Sequence, residues 1–225
     1  IVRFNNLGDI SWSRIYPIGI AATGLAICQV GSNEFVITGR CAYEIDNAEL
    51  FIAKIKSNGD TCWIRTFGGV EFECGNSICL AQDGGYVATG RTNSIGDGNE
   101  IYFVKTDSNG ILQWEKSIAN IGIGWGNSII STNDNSFVVA GNNGGYPWVL
   151  KLNSTGDTIW TKTNYYTSGS GDGNSCIIPT QDSGYVSFGC SEYKINSSGA
   201  LIWQRSYWGN KIAETHEGHL VNVSN

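Results

Sequence analysis

Few side chains in this chain could do acid–base or metal chemistry. The two histidines, His216 and His219, sit in the string THEGH near the C-terminus. A helical metal site of the HExxH kind sets two imidazoles four residues apart on one face, whereas these are three apart in what reads as a strand hairpin. Both are expected on the surface. No Gly-x-Ser-x-Gly string offers a nucleophile elbow to go with either one. Asp97-Gly98-Asn99-Glu100 and Asp107-Ser108-Asn109-Gly110 look like calcium-loop openings, yet neither reaches the distant Glu that completes such a loop, so both read as turns. The seven cysteines show no CxxC or Cys/His zinc spacing. Candidate bridges are Cys28–Cys79, Cys41–Cys74 and Cys176–Cys190, with isolated buried thiols the alternative for Cys28, Cys79 and Cys176. No catalytic residue, metal or cofactor is expected.

Composition narrows the rest. The 225 residues carry 14 Lys+Arg against 20 Asp+Glu, with 30 Gly and no Met. Glycine at about 13% where roughly 7% is usual, and charge at 15% where roughly 25% is usual, describe a turn-rich chain of uncharged strands. A net charge of -6 without a basic cluster cannot neutralise a phosphate backbone or an anionic bilayer, so neither nucleic acid nor a membrane is an expected partner. No stretch approaches the roughly 18 apolar residues of a membrane span. The lack of Met and of a signal-peptide pattern reads as a processed or excised segment, and sequons at Asn153, Asn196 and Asn222 fit an extracellular setting.

The elements that position these residues are set by an internal repeat. Five segments align without gaps: RFNNLGDISW (3–12), KIKSNGDTCW (54–63), KTDSNGILQW (105–114), KLNSTGDTIW (151–160) and KINSSGALIW (194–203). Between them recur NEFVITG, DGGYVATG, DNSFVVAG and DSGYVSFG, preceded by GNSICLA, GNSIIST and GNSCIIP with weaker copies TGLAICQ and GNKIAET. Four short strands per unit of 43 to 51 residues, bounded by Gly- and Asn-rich turns, have the dimensions of a propeller blade. The predicted fold is all-β: a single five-bladed β-propeller over residues 1–225, built of four-stranded antiparallel blades. Its fifth blade combines 207–225 with 1–16, so the N-terminal strands close the ring and leave no free edge. The predicted inner strands are 25–30, 76–80, 127–131, 174–178 and 210–214. Trp12, Trp63, Trp114, Trp160 and Trp203 are expected to pack between blades. Ten basic residues fall in two rings, one from Arg3 to Lys194 and one from Arg14 to Arg205. They are expected to form blade-periodic ion pairs, with Asp83, Asp134, Asp182 and Glu217 as the recurring acids, in preference to an anion funnel.

The KLNSTGDTIW hairpin resembles the tryptophan-docking motif of quinoprotein-type propellers. More closely, DGGYVATG followed by FVKTDSNGILQW is similar to the repeats of secreted bacterial β-propeller proteins, common in the Bacteroidetes. The resemblance covers all five units and implies a propeller at the cell surface or outside the cell. Quinoprotein dehydrogenases have more blades, adjacent cysteines and a calcium-binding acid cluster; this chain has no adjacent cysteines, so no quinone is implied.

In a repeat protein the nonrepeated residues are the informative ones. The loops on one face carry Tyr16, Tyr43, Phe67, Phe72, Trp125, Tyr165, Tyr166, Tyr207 and Trp208, with carboxylates including Glu71, Glu73, Asp97, Glu100 and Asp172. Rings interleaved with carboxylates and amides suit sugar binding, because rings stack on C–H faces while polar groups hold hydroxyls. The candidate ligand residues are Trp125, Trp208, Tyr207, Tyr165, Tyr166 and Phe72, with Asn76, Asn127, Asn174 and Asn210 ringing the channel mouth; the alternative for these asparagines is strand-end capping. The expected function is a secreted or cell-surface binding module, carbohydrate-recognising and non-catalytic, with a glycan or protein ligand. The alternatives are a structural or interaction domain of a larger surface assembly or filament, and a glycoside-cleaving propeller. The last needs carboxylates lining the channel, and the predicted inner strands hold one, Glu214.

Overall fold

The computed structural model describes residues 1–44, 47–95, 99–119, 124–143, 146–163, 176–189, 192–205, 211–215, 217–218 and 220–223, among which there are strands and turns and no helix. An N-terminal hairpin joins β1 (Val2–Phe4) to β2 (Ile10–Ser13). Sheet one contains β3 (Ala21–Val30), β4 (Glu34–Glu44), β5 (Asn47–Lys56) and β6 (Thr61–Phe67). Sheet two contains β7 (Glu73–Leu80), β8 (Tyr86–Thr92), β9 (Glu100–Thr106) and β10 (Leu112–Ile118). Sheet three contains β11 (Trp125–Ser131), β12 (Phe137–Asn143), β13 (Tyr146–Leu152) and β14 (Thr158–Thr163). Sheet four contains β15 (Cys176–Pro179), β16 (Tyr185–Phe188), β17 (Glu192–Ile195) and β18 (Leu201–Arg205). A C-terminal hairpin joins β19 (Lys211–Glu214) to β20 (Leu220–Val223). Every four-stranded sheet pairs its strands antiparallel in chain order, which makes an all-β, propeller-like fold.

The repeated tryptophan explains how one sheet finds the next. The turns between the last two strands of each unit place Gly8, Gly59, Gly110, Gly156 and Gly199 at φ between +77° and +87°, where only glycine is unstrained. Four of these glycines, all but Gly8, also receive the tryptophan of the preceding unit: a Cβ on Gly110 would lie 2.8 Å from Trp63, and one on Gly156 would lie 3.0 Å from Trp114. The indole N–H groups of Trp12 and Trp114 donate to the carbonyls of Ser57 and Ser154 in the next hairpin, at 3.0 and 3.1 Å.

The GNS block has a second job. In β3, β7 and β11 the register shifts at Leu25, Asn76 and Asn127, each the extra residue of a bulge. Because the strand continues across the bulge, β3, β7 and β11 start at Ala21, Glu73 and Trp125, earlier than the predicted 25, 76 and 127. The glycines admit the neighbouring sheet: a Cβ on Gly75 would lie 2.2 Å from Thr38 Oγ1, and one on Gly126 2.0 Å from Thr89 Oγ1. Asn76 Nδ2 then donates to the Gly126 carbonyl at 3.1 Å, and the Ile129 and Ile177 amides donate to Ser77 and Ser128 Oγ at 3.2 Å. In sheet four the described inner strand, Cys176–Pro179, ends one residue beyond the predicted 174–178, whose first two residues lie outside the described residues. Nine positions separate Gly173 from Asp182 where eight separate Gly126 from Asp134, and the pairing of Pro179 with Tyr185 sets the register from the turn.

The expected ion pairs form on the first basic ring: Lys105 with Asp83 at 2.5 Å, Lys151 with Asp134 at 2.7 Å and Lys194 with Asp182 at 2.7 Å, with Glu34 serving Lys54 at 2.8 Å. On the second ring the partner lies in the next hairpin, Asp60 for Arg14 and Asp157 for Lys116. Arg3 donates to the Ser57 carbonyl. Cys28, Cys41, Cys62, Cys74, Cys79 and Cys176 are free thiols, so the bridges Cys28–Cys79 and Cys41–Cys74 are not made; Cys190 lies outside the described residues. Cys79 is buried in the core between sheets two and three, whereas Cys28 packs against the core between sheets one and two. Burial raises the Cys41 thiol to about 11.

At the chain ends, β1–β2 and β19–β20 each stand as a separate two-stranded sheet among the described residues. Each is nevertheless seated on a neighbour as a blade would be. Trp12 and Arg14 engage the hairpin of sheet one. Gln181 Nε2 donates to the Thr215 carbonyl at 3.1 Å, repeating the bond from Gln82 to Thr132 at 2.9 Å. Among the described residues sheet one is only partly covered on the side away from sheet two, where Trp12, Tyr16 and Ile18 pack against Ile37, Phe51 and Ala53. Ile27, Ile78, Ile129 and Ile177 share one register position, yet Ile27 is 59% exposed against 7%, 4% and 2% for the others.

Two predictions follow from this packing. Gly126→Ala must push Thr89 aside and is expected to destabilise by about 1–3 kcal/mol in chemical denaturation, with a smaller loss for Gly24→Ala at the equivalent register position, whose Cβ would make an ordinary contact with Ile37 at 3.5 Å. Burial alone would raise the Asp134 carboxyl, but hydrogen bonds from Lys151 and Thr132 outweigh it and hold it at about 2; at Asp182 the bonds from Lys194 and Thr180 do the same. Carboxyls depressed in the folded state stabilise above their unfolded value and lose that contribution as pH falls through the folded one. The melting temperature is therefore expected to hold above about pH 5 and to fall between about pH 4 and 2, with a shallower acid slope in Asp134→Asn.

Candidate ligand-binding face

The loops that join one sheet to the next converge around four side chains. Arg40 and Arg91 each follow the glycine that ends the second-strand block of their unit, in VITGR and VATGR. Phe72 lies in the loop before β7, fixed by a bridge to Ala48. Trp125 opens β11 and is 44% exposed. The Arg91 guanidinium stands 4.2 Å from the Phe72 ring centre and 4.9 Å from that of Trp125, and Arg40 stands 5.6 Å from Phe72. These are cation–π distances. Arg91 is held below its ordinary value by burial first and then by the like charge of Arg40, against an opposing effect of Cys74. A depression of about 380 Å³ adjoins Arg40 and Phe72, with Thr23 and Asn47 in its wall.

Glu73 holds this face in shape. Buried completely, it accepts hydrogen bonds from the Gly69 amide at 2.8 Å, Thr92 Oγ1 at 2.6 Å and the Ser94 amide at 3.2 Å, which ties the Phe72 loop to the end of β8. It is thus a clamp and not one of the exposed carboxylates expected of a sugar site. Glu100 is likewise buried.

Of the candidate ligand residues, Phe72 and Trp125 are brought together through Arg91. Asn76 is committed to the Gly126 carbonyl and so acts in joining sheets; Asn127 is half-buried at its bulge. Tyr165, Tyr166, Asn174, Tyr207, Trp208 and Asn210 lie outside the described residues, as do Asp97, Asp172, His216 and His219. Two further loop-face aromatics serve the scaffold: Tyr16 donates to the Gly59 carbonyl at 2.7 Å, and Phe67 packs on the core between sheets one and two. The Asp107 carboxylate accepts from the Asn109 and Ile111 amides, each at 2.8 Å, which is the turn read in the sequence. Among the described residues no cluster of three His, Cys, Asp or Glu side chains could hold a metal ion. Arg40 and Arg91 escaped a reading that counted charge by its periodicity, because both stand outside the two basic rings. The signal was there in the Gly-Arg pair ending two second-strand blocks and absent from the third, where Asn142 follows Gly141.

No protein-family model matches the chain, and neither does any curated protein. The crystal structure of a propeller-like protein from Lactobacillus plantarum is similar, with a TM-score of 0.56 and 11% identity over 92% of this chain and 72% of that one. The crystal structure of a eukaryotic initiation factor gives a TM-score of 0.40 and 10% identity over 76% of this chain and 52% of that one, too distant to carry weight. At these identities the likeness concerns the fold alone: the chain is similar to a propeller-like protein in its succession of four-stranded antiparallel sheets.

Proposed function

We propose that this chain is a non-catalytic, carbohydrate-recognising binding module of an extracellular or cell-surface protein, with its ligand site on the loop face. The observation that carries this reading is Trp125, a large exposed ring that belongs to none of the packed cores and is joined through Arg91 to Phe72, which lines a depression. The other repeated aromatics are occupied in docking sheets. Tyr165, Tyr166, Tyr207 and Trp208 belong to the same proposal as further ring contacts. A second reading, a structural or interaction domain of a larger surface assembly, is favoured by a separate observation: Ile10, Leu112, Ile159 and Ile202 stand exposed on the outermost strands of four units.

The finer architecture is part of the proposal: five blades, the last assembled from β19, β20, β1 and β2 by pairing β20 with β1. Each hairpin already makes the contacts of one half of that blade. An apolar cavity of about 200 Å³ beside Ile37, Phe51 and Ala53, together with the exposed Ile27, marks the side of sheet one that such a blade would cover.

Two measurements bear on this. On a glycan array the purified chain is expected to bind a defined set of glycans, and Trp125→Ala to abolish binding with an unchanged melting temperature; a blank array contradicts carbohydrate recognition. Removing residues 1–16 is expected to lower the melting temperature sharply, and an unchanged transition contradicts ring closure.

A further inference from the structure

We infer that Arg40 and Arg91 form an oxyanion-binding site on the loop face, which selects a polysaccharide bearing carboxylate or sulfate groups. The inference rests on the carbohydrate reading above and names the class of sugar. Two guanidiniums share one ring, Phe72, within 6 Å of its centre. Among the described residues no carboxylate lies within ion-pair distance of either. Among the described residues Lys54, Lys105, Lys151, Lys194, Arg14 and Lys116 each have an acidic partner, and Arg40 and Arg91 differ from the other basic residues in sharing one aromatic ring.

Holding two like charges together is unfavourable, the more so where Arg91 is partly buried. A bound anion relieves that repulsion. Stacking on Phe72 and Trp125 restrains the guanidinium planes, and a restrained guanidinium presents paired N–H donors matched to the two oxygens of a carboxylate or sulfate. The adjoining depression, walled by Thr23, Asn47 and Arg40, has room for a saccharide ring and offers it neutral polar groups for its hydroxyls. Arg91 also occupies space at both aromatic rings, so the face recognises charge where a neutral-sugar site would present bare rings. The Gly-Arg pair occurs in units one and two and gives way to Gly141-Asn142 in unit three, which makes the site local to one side of the face and not a property of the scaffold.

The test is calorimetric titration of the full chain with oligogalacturonate, a sulfated galactan and a neutral galactan, at low and moderate salt. An acidic saccharide is expected to bind at least about tenfold more tightly than the neutral one and to weaken with salt. Arg91→Gln and the more exposed Arg40→Gln are each expected to lower that affinity by about tenfold to a hundredfold while leaving binding of the neutral galactan in place. The carboxylated and sulfated arms identify which oxyanion is preferred. Equal binding of neutral and acidic saccharides, unchanged in both variants, overturns the oxyanion site and leaves the carbohydrate reading standing. No binding of any saccharide overturns both.

Discussion

An indole lying on a left-handed glycine is the contact on which the rest of this structure depends. Trp12, Trp63, Trp114 and Trp160 each rest on the hairpin turn of the following sheet, at Gly59, Gly110, Gly156 and Gly199. Glycine is required there twice over, because the turn needs a positive φ and the ring needs the space a Cβ would fill. At the other end of each sheet a second close approach, through Gly75 and Gly126, lets Asn76, Ser77 and Ser128 bond across to the next inner strand. With both ends pinned, the angle between sheets is set by backbone proximity, and the loops beyond the pins are released from structural duty. The ligand recognition proposed above is placed on those loops.

Much of this was legible in the residues. The spacing of Gly and Trp predicted the outer hairpins, and the DGGY-type blocks predicted both the turn and the Lys–Asp pairing at Asp83, Asp134 and Asp182. Three features were not legible, each for a physical reason. A bulge leaves no trace in an alignment that keeps one residue per position, so GNS read as the start of a strand and not as its bent middle. The slip of one residue in sheet four arose because register propagates from the turn at Thr180 and not from the upstream glycine. Asn76, expected at a ligand, turned out to hold sheets together, since an amide that close to the neighbouring strand finds a carbonyl before it finds solvent.

The candidate site shows the complementary limit. Repetition reveals the scaffold and hides what deviates from it. Phe72 and Trp125 were visible as aromatic exceptions, while Arg40 and Arg91 fell outside both basic rings and so carried no periodic signal. Their lack of an acidic partner is a tertiary fact. Glu73 is drawn inward to clamp the Phe72 loop, while Glu71 on the same loop stays exposed.

Four instances of the tryptophan–glycine contact are present, whereas a Cβ on Gly8 would meet nothing within 4 Å; closure of the proposed ring requires a fifth contact there, Trp203 on Gly8, with Arg205 reaching Asp9 as Lys116 reaches Asp157. The most direct measurement is the distance between spin labels placed at positions 9 and 205, read beside a control pair at 116 and 157. The account predicts one narrow distribution for the 9/205 pair that coincides with the control. A broad distribution, or a distance well beyond the control, would contradict it.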